Sequence, residues 1–267
     1  MLNQEEQIKL RNRFNPEGSL LRQHQLRMLD ILIEIDKICQ KHNINYWIDG
    51  GTLLGAVRHG GFIPWDDDID IAVMHNEYTK LLKILSKELP SNLKVQTPLT
   101  DKHYYSPFAK VRDLNSEIVE KGSYPYQYNG IFIDIFPIHK ANKTLAKMSG
   151  RLTDRYLLST TYRNNPSEPI RRKNILIRFF CFKILNLLFS LVNQLVKHNY
   201  LNYYWGTYYS LNCPKEDIVP VTKILFENHY FNAPRNYCTV LKYQFGNYEE
   251  LPNLDNLHTH ILSVKFK

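Results

Sequence analysis

Four aspartates lie within five residues of one short segment, and their type and spacing suit metal chemistry. The segment reads Trp65-Asp66-Asp67-Asp68-Ile69-Asp70-Ile71. Asp68 and Asp70 are two residues apart, so on a strand both carboxylates would point to the same face. Carboxylates held side by side repel each other, and proteins commonly use such pairs to share a hard divalent cation. We therefore predict a Mg²⁺ site at Asp68 and Asp70, with Mn²⁺ as the alternative ion.

A simpler interpretation of the acidic segment is a turn that faces solvent. Ile69 and Ile71 argue against it, because they would point into a core on the opposite face of the same strand. Asp66 and Asp67 then precede the strand as turn residues or as supports for the metal ligands.

Two further features suit the transfer of a phosphoryl group. Gly50-Gly51-Thr52 follows a short predicted strand, and paired glycines let backbone amides approach a phosphate closely. Asp134 lies on the predicted strand 131–136, which could bring a third carboxylate to the site as a metal ligand or proton acceptor. The other interpretation of Asp134 is a capping residue. Amides for a diphosphate and carboxylates for a metal together predict nucleotidyl or phosphoryl transfer.

Basic side chains near these features could offset phosphate charge. They are two residues between the glycines and the aspartates and two on or just after a predicted strand, namely Arg58, His59, Lys110 and Arg112. An ordinary surface role explains each of them equally well.

The elements that must position these residues read as a mixed α/β core. A helix is predicted over 20–42 after the capping residue Ser19, and another over 76–89. Strands are predicted at 46–48, 68–73, 93–96, 106–111, 118–120 and 131–136. Three regions follow: an N-terminal helical region (1–45), a catalytic core (46–140) and a mostly helical region packed on the core (141–267).

Composition limits the classes of partner. The 267 residues are 43% hydrophobic with a net charge of +8, which favours anionic partners such as nucleotides or phosphorylated glycans. The basic residues are scattered, so nucleic acid is not expected. Four separated cysteines without a CxxC pair argue against zinc and disulfides. The polar start, Met1 to Leu10, does not read as a signal peptide, and a cytoplasmic location is predicted.

One apolar segment, residues 175–196, is long enough to span a bilayer. Arg178 and Lys183 interrupt it, and central charges are unfavourable in a membrane. A buried or interfacial amphipathic helix is therefore the favoured prediction.

Residues 46–71, which contain the diglycine and the acidic segment, closely resemble the LicD family of bacterial phosphocholine transferases, related to the fukutin-type sugar phosphotransferases. The resemblance continues at 132–137, 231–237 and 245–252, and it is weakest over 141–215. Where the family often has Tyr-Gly, this chain has Phe245-Gly246.

The resemblance implies a nucleotidyltransferase-like fold with Asp68 and Asp70 as metal ligands and Asp134 as the third carboxylate. It implies CDP-choline as donor, and as acceptor a cell-surface glycan (teichoic acid or lipopolysaccharide) or its lipid-linked precursor. A lipid-linked acceptor suggests peripheral association with the inner face of the membrane. Choline would need an aromatic cage, for which the candidates are Trp65, Tyr104, Tyr105, Tyr124, Tyr126 and Tyr128.

Three alternatives remain from the sequence. The first is transfer of another phosphoryl substituent, such as a polyol phosphate or phosphoethanolamine. The second is a nucleotidyltransferase that acts on a sugar. The third is a non-catalytic protein that binds a glycan or nucleotide, which the set Asp68, Asp70 and Asp134 disfavours.

Overall fold

The computed structural model describes residues 2–121, 126–161, 172–196, 198–257 and 259–267. Its strands are β1 (Tyr46–Ile48), β2 (Asp70–Met74), β3 (Leu93–Gln96), β4 (Ala109–Asp113), β5 (Ser116–Glu120), β6 (Phe132–Lys140), β7 (Tyr200–Tyr203), β8 (Cys213–Pro214), β9 (Thr222–Phe226), β10 (His229–Ala233) and β11 (Ile261–Phe266). Its helices are α1 (Gln4–Phe14), α2 (Leu20–Lys41), α3 (Gly50–His59), α4 (His75–Glu88), α5 (Lys143–Thr161), α6 (Arg172–Phe179), α7 (Asn186–Gln194), α8 (Lys215–Ile218) and α9 (Tyr237–Phe245), with a π-helical segment, Phe180–Leu185, between α6 and α7.

The central sheet is mixed, which confirms the predicted α/β core. Its order is β1-β2-β6-β4-β3, and β7 and β8 extend it beside the far end of β6. Strand β6 runs parallel to β2 and antiparallel to β4 and β7. Each strand end that carries a predicted site residue therefore lies next to β6.

Helix α2 covers the sheet through one apolar face. Ser19 caps it as predicted, since its hydroxyl accepts a hydrogen bond from the Arg22 amide at 3.2 Å. Met28, Leu32 and Ile35 recur at helical spacing and are fully buried in the main core. The predicted helix over 20–42 thus matches α2, which also contacts α4 and β6.

Strand β6 passes through Pro137, where the sequence predicted that it would stop. The Asp134 amide donates to Ile69 on the β2 side, so by alternation the Pro137 nitrogen faces the opposite side. There β4 has ended opposite Ile135 and β7 begins opposite Ile138. The missing N–H falls in that gap, so the strand loses no sheet hydrogen bond.

Two predicted elements near the site differ from the structure. The acidic strand begins at Asp70 rather than at residue 68, so Asp68 lies just before it. The diglycine begins helix α3 instead of forming a turn.

The region after residue 140 contains helices, as predicted, together with five strands that the sequence did not reveal. Two of these strands join the central sheet, so the sheet crosses the predicted domain boundary at 140.

The C-terminal strand β11 pairs with β5 and is tied to the acidic segment. The Asp67 carboxylate accepts hydrogen bonds from the amides of His260 and Ile261, at 2.7 and 2.9 Å, and contacts His260 Nδ1 at 2.9 Å. The side-chain hydrogen bond to Asp67, helped by the charges of Asp68, Asp67 and Asp66, raises the pKa of His260 from its ordinary 6.5 to about 9. Strand β11 therefore holds Asp67 in place immediately before Asp68.

The protonated His260 should stabilise the docking of β11. Because its pKa is raised on folding, this stabilisation is complete below pH 6.5 and is lost as pH rises through about 9. We predict that hydrogen-exchange protection factors of the β11 amides fall between pH 7 and pH 10. In His260→Gln they should be lower at pH 7 and nearly independent of pH, while the β9–β10 hairpin is unaffected. Equal β11 protection in both proteins across this range would contradict the prediction.

Candidate functional site

The start of α3 lies directly against two of the predicted carboxylates. Gly50 has a positive φ of 54°, and a Cβ there would lie 2.8 Å from Asp70 Oδ2. A Cβ on Gly51 would lie 2.8 Å from Asp66 Oδ2. The two glycines therefore make room for two carboxylates at the positive end of a helix, where free N–H groups favour negative charge.

Thr52 fixes the helix to the neighbouring strand. Its hydroxyl accepts a hydrogen bond from the Asp70 amide at 2.8 Å, and the Asp49 amide donates to the Asp70 carbonyl at 3.0 Å. Helix α3 and strand β2 are thereby held in one register. Thr52 has a positioning role here, and its direct contact with phosphate stays a prediction.

Asp134 lies between a second carboxylate and a cation. In the sheet it is paired with Asp70 on β2 and with Lys110 on β4, and paired residues point to the same face. Lys110 Nζ lies 2.7 Å from Asp134 Oδ1 and 3.4 Å from the centre of the Phe132 ring. The parallel register thus brings together two of the three predicted ligands and one predicted phosphate-binding cation.

The carboxylates perturb one another strongly. Burial, followed by the charges of Asp68 and Asp134, raises the pKa of Asp70 well above its usual range. Burial also raises the pKa of Asp134 to about 6, although Lys110 opposes the shift. Burial raises the pKa of Asp68 as well. Desolvated carboxylates crowded in this way suit a divalent cation, which would favour their charged forms.

A second arrangement of possible ligands shares Asp68. Across the part of the chain that the structure describes, one set of three or more His, Cys, Asp or Glu side chains has its ligand atoms within 4.8 Å of one another, namely Asp67, Asp68 and His260. Both Asp67 oxygens already accept hydrogen bonds from residues 260 and 261. Asp68, Asp70 and Asp134 are spread more widely than this set, so their joint binding of a metal stays a prediction.

Arg58 and His59 face other partners. Arg58 is buried and donates to the carbonyls of Tyr248 and Glu250 at 3.1 and 3.0 Å. His59 contacts the Gln7 side chain at 2.8 Å, and burial lowers its pKa to about 3. Arg58 therefore secures the C-terminal region, although the charge of Asp66 also acts on it, and His59 is neutral at physiological pH. The contact of either residue with phosphate stays a prediction.

Arg112 is likewise committed to structural contacts. It is fully buried and donates to Gln96 Oε1, the Gly130 carbonyl and Glu120 Oε1 at 2.7–2.9 Å. All three of these acceptors lie outside the carboxylate group. Its predicted contact with phosphate gains no support from this geometry, in contrast to that of Lys110.

Sequence reasoning missed Asp49 and the two residues that hold it. Asp49 is fully buried between β1 and α3, where Tyr203 Oη donates to it at 2.7 Å and Gln244 Nε2 at 2.9 Å. Burial raises the pKa of Asp49, and its charge adds to the rise at Asp70. The position of Asp49 just before the diglycine was a signal, but its partners lie more than 150 residues away.

The aromatic rings near the carboxylates also differ from the predicted cage. Phe136, Tyr203 and Tyr209 have ring centres 5.3–6.3 Å apart, and Phe136 is two residues from Asp134. Tyr209 is 58% exposed. Burial, then Asp70, Asp134 and Asp68, raises the pKa of Tyr209 to about 12, which places its ring near the site.

Of the predicted cage residues, Tyr104 is buried, and after burial the charge of Asp134 raises its pKa, so it too lies near the carboxylates. The Tyr104 hydroxyl donates to the Phe108 carbonyl, and its ring lies 5.3 Å from that of Tyr126. Trp65 packs edge-on against Phe14. Tyr124 lies outside the described residues. The aromatic run Tyr203-Tyr204-Trp205-Gly206-Thr207-Tyr208-Tyr209 was the sequence signal for the observed rings.

Comparison with known proteins connects this geometry to a family. The Haemophilus influenzae lipopolysaccharide cholinephosphotransferase LicD is 28% identical over 90% of this chain and 95% of that protein. Human ribitol 5-phosphate transferase FKRP is 26% identical over 110 residues, 41% of this chain and 20% of that protein. A crystal structure of ANT(2")-Ia in complex with adenylyl-2"-tobramycin shares 13% identity and a TM-score of 0.25 over 61% of this chain and 97% of that chain, which is too low to bear on fold or function.

The matched region contains the whole carboxylate group described above. Residues 43–166 match the LicD/FKTN/FKRP nucleotidyltransferase domain, and this range includes the diglycine, the acidic segment, Lys110 and Asp134. This part of the chain is thus similar to the nucleotidyltransferase domain of the LicD/FKTN/FKRP proteins.

Proposed function

We propose that this protein transfers phosphocholine from CDP-choline to a hydroxyl of a cell-surface glycan or its lipid-linked precursor. The acceptor would be a lipopolysaccharide or teichoic acid, and the reaction would take place in the cytoplasm. The observation that carries the proposal is the carboxylate group at the start of α3, within a domain shared with a named cholinephosphotransferase.

Asp68, Asp70 and Asp134 would hold the metal, Mg²⁺ or Mn²⁺. Oxygen ligands suit these hard cations, and a cation would oppose both causes of the raised pKa of Asp70, burial first and then the charges of the neighbouring carboxylates. When bound, the metal supplies charge neutralisation for the donor diphosphate and the departing CMP.

The chain's own groups would position the reactants and accept a proton. The free amides at the start of α3, at Gly50 and Gly51, would bind phosphate oxygens. The acceptor oxygen forms a bond to the choline-bearing phosphorus, and the bond from that phosphorus to the CMP oxygen breaks. Asp134 is the candidate either for the third metal ligand or, in place of that role, for the group that takes the hydroxyl proton; without a metal its pKa of about 6 leaves it largely ionised at neutral pH. Lys110, at 2.7 Å, keeps that carboxylate oriented.

The choline group would contact the exposed ring of Tyr209. A quaternary ammonium makes no hydrogen bonds and is instead attracted to aromatic faces. Phe136 and Tyr203 are both buried, and their rings pack edge-on against the ring of Tyr209. The ring also lies close enough to the carboxylates for their charges to affect its pKa. The head group and the reacting phosphate would therefore occupy adjacent places.

Transfer of a polyol phosphate is the second candidate. The similarity to human FKRP, a ribitol 5-phosphate transferase, favours it over the remaining alternatives. That similarity covers 110 residues, whereas the similarity to LicD extends along most of the chain.

Donor choice can be measured directly with a panel of CDP-choline, CDP-ethanolamine, CDP-glycerol and CDP-ribitol in the presence of Mg²⁺. We predict that CDP-choline gives the fastest glycan-dependent release of CMP. The product mass should show added phosphocholine. Faster release from CDP-ribitol would favour the polyol alternative, and a nucleotide retained on the product would contradict phosphoryl transfer.

Neutralising Asp70 should separate activity from stability. We predict that Asp70→Asn lowers kcat at least about 10³-fold, because the group that would bind the metal is lost. Since the raised pKa of Asp70 shows that its charge opposes folding at neutral pH, the Tm should be unchanged or higher. Asp30→Asn, on the exposed side of α2, is the matched control and should leave both quantities near wild type. Near-normal turnover in Asp70→Asn would disprove the assignment.

Removing the exposed ring should weaken binding of a cationic donor. We predict that Tyr209→Ala raises the KM for CDP-choline about 5- to 30-fold, the range expected for a cation–π contact, with a smaller effect on kcat. Tyr208→Ala, which removes the neighbouring exposed ring, should have little effect. An equal rise in the KM for the uncharged CDP-glycerol head group would show that Tyr209 acts through packing alone.

A further inference from the structure

The segment from α6 to α7 exposes most of its apolar side chains. It is the one helical stretch in the described ranges that is long and apolar enough to cross a membrane, with a mean hydropathy of 2.1. Only 22% of the most apolar stretch of this segment is buried in the protein. The most exposed side chains are Ile175, Leu176, Phe179, Leu187, Leu188, Leu191 and, just after α7, Leu195. The prediction of a buried helix is therefore wrong, and that of an interfacial one remains.

Helix α5 widens this surface. Met148, Leu152 and Tyr156 recur every four residues, which places them on one face of α5, and all three are exposed. The Tyr156 ring meets the Phe180 ring edge-on, with centres 6.4 Å apart. The exposed faces of α5, α6, the π-helical segment and α7 thus form one apolar surface, called here the apolar helical face. Contiguous exposed patches of this kind mark docking sites.

The charges around the apolar helical face are almost all positive. Residues 143–161 and 172–194 contain eight Lys or Arg residues and a single acidic residue, Asp154. Arg172, Lys173 and Lys183 are exposed on the apolar segment itself. Such a surface complements anionic lipid headgroups, whereas two copies of it would repel each other.

Contacts with the rest of the protein keep the segment from crossing a bilayer. The Arg178 guanidinium donates to the carbonyls of Lys102 and His103. The Asn193 side chain bonds the Lys140 carbonyl and the Asn142 amide, and Ser190 Oγ accepts from Trp205 Nε1 at 2.7 Å. Both ends of the segment are therefore packed on the folded domain, and only one side of it can meet lipid.

We propose that the apolar helical face lies on the surface of an anionic bilayer and anchors the protein there. Helix α5 also packs closely on the loop that carries Tyr209, since a Cβ on Gly150 would lie 2.3 Å from the Thr207 carbonyl oxygen. The anchored face is thereby adjacent to the candidate site. Anchoring would therefore bring the candidate site close to a lipid-linked acceptor. This consequence rests on the proposed function, whereas the anchoring itself does not.

The test is sedimentation of the full-length protein with vesicles, in the absence of donor and acceptor. Binding is expected to vesicles that contain phosphatidylglycerol, and it should be weaker for pure phosphatidylcholine and at about 1 M salt, where charges are screened. The double variant Leu187→Gln/Leu191→Gln should bind at least about tenfold more weakly. The control Leu225→Gln/Tyr230→Gln, which changes exposed apolar residues on the β9–β10 hairpin, should bind like wild type.

Further measurements distinguish surface anchoring from a membrane-spanning helix and from a dimer formed through the apolar helical face. The bound protein should be released by alkaline carbonate, and resistance to extraction would mean a true span and overturn the proposal. A dimer in solution that the Leu187→Gln/Leu191→Gln variant abolishes, without vesicle binding by wild type, would assign the face to a second copy. Equal vesicle binding by wild type and this variant would also overturn the proposal. CMP release with a short soluble glycan should be unchanged in the variant, so failure of anchoring is distinguishable from failure of the proposed reaction.

Discussion

Repulsion between buried carboxylates dominates this site. Asp66 and Asp70 lie against the first turn of α3, and after burial the charges of Asp68 and Asp134 raise the pKa of Asp70 further above its usual range. The parallel register of β2 and β6 opposes Asp70 to Asp134, and the absence of a Cβ on Gly50 and Gly51 lets two carboxylates reach the helix start. Lys110 beside Asp134 and the protonated His260 beside Asp68 partly offset this charge. Such an arrangement opposes folding, which is typical of sites shaped by function rather than by stability.

The remaining structure supports this crowding from several sides. Thr52 locks α3 to β2, and His260 at the start of β11 holds Asp67. Strand β7 brings Tyr203 to the buried Asp49, immediately before the diglycine. These contacts come from residues 52, 203 and 260, which are far apart in sequence. The site therefore depends on the folding of most of the chain and not on the central segment alone. The loop that follows β7 contains Tyr209, whose ring lies near the carboxylates.

Local patterns in the sequence were sufficient to predict the α/β core and the strands on which Asp70 and Asp134 lie side by side. They failed where long-range contacts decide. Glycine is a poor helix former, so Gly50-Gly51 reads as a turn. The two residues nevertheless start a helix, and the close approach of Asp66 and Asp70 explains why both are glycine. No local pattern reveals that Arg58, which is near the acidic segment in sequence, donates to carbonyls about 190 residues away. Pro137 reads as a strand end because no pattern reveals the gap between β4 and β7.

Binding of Mn²⁺, followed by electron paramagnetic resonance in the absence of substrates, tests most directly whether the crowded carboxylates form a metal site. The account predicts that Asp70→Asn and Asp134→Asn each weaken binding at least about tenfold, whereas His260→Gln leaves it nearly unchanged. Loss of Mn²⁺ binding in His260→Gln with normal binding in Asp70→Asn would contradict it. That result would place the ion instead at Asp67, Asp68 and His260, away from the strand pair of β2 and β6.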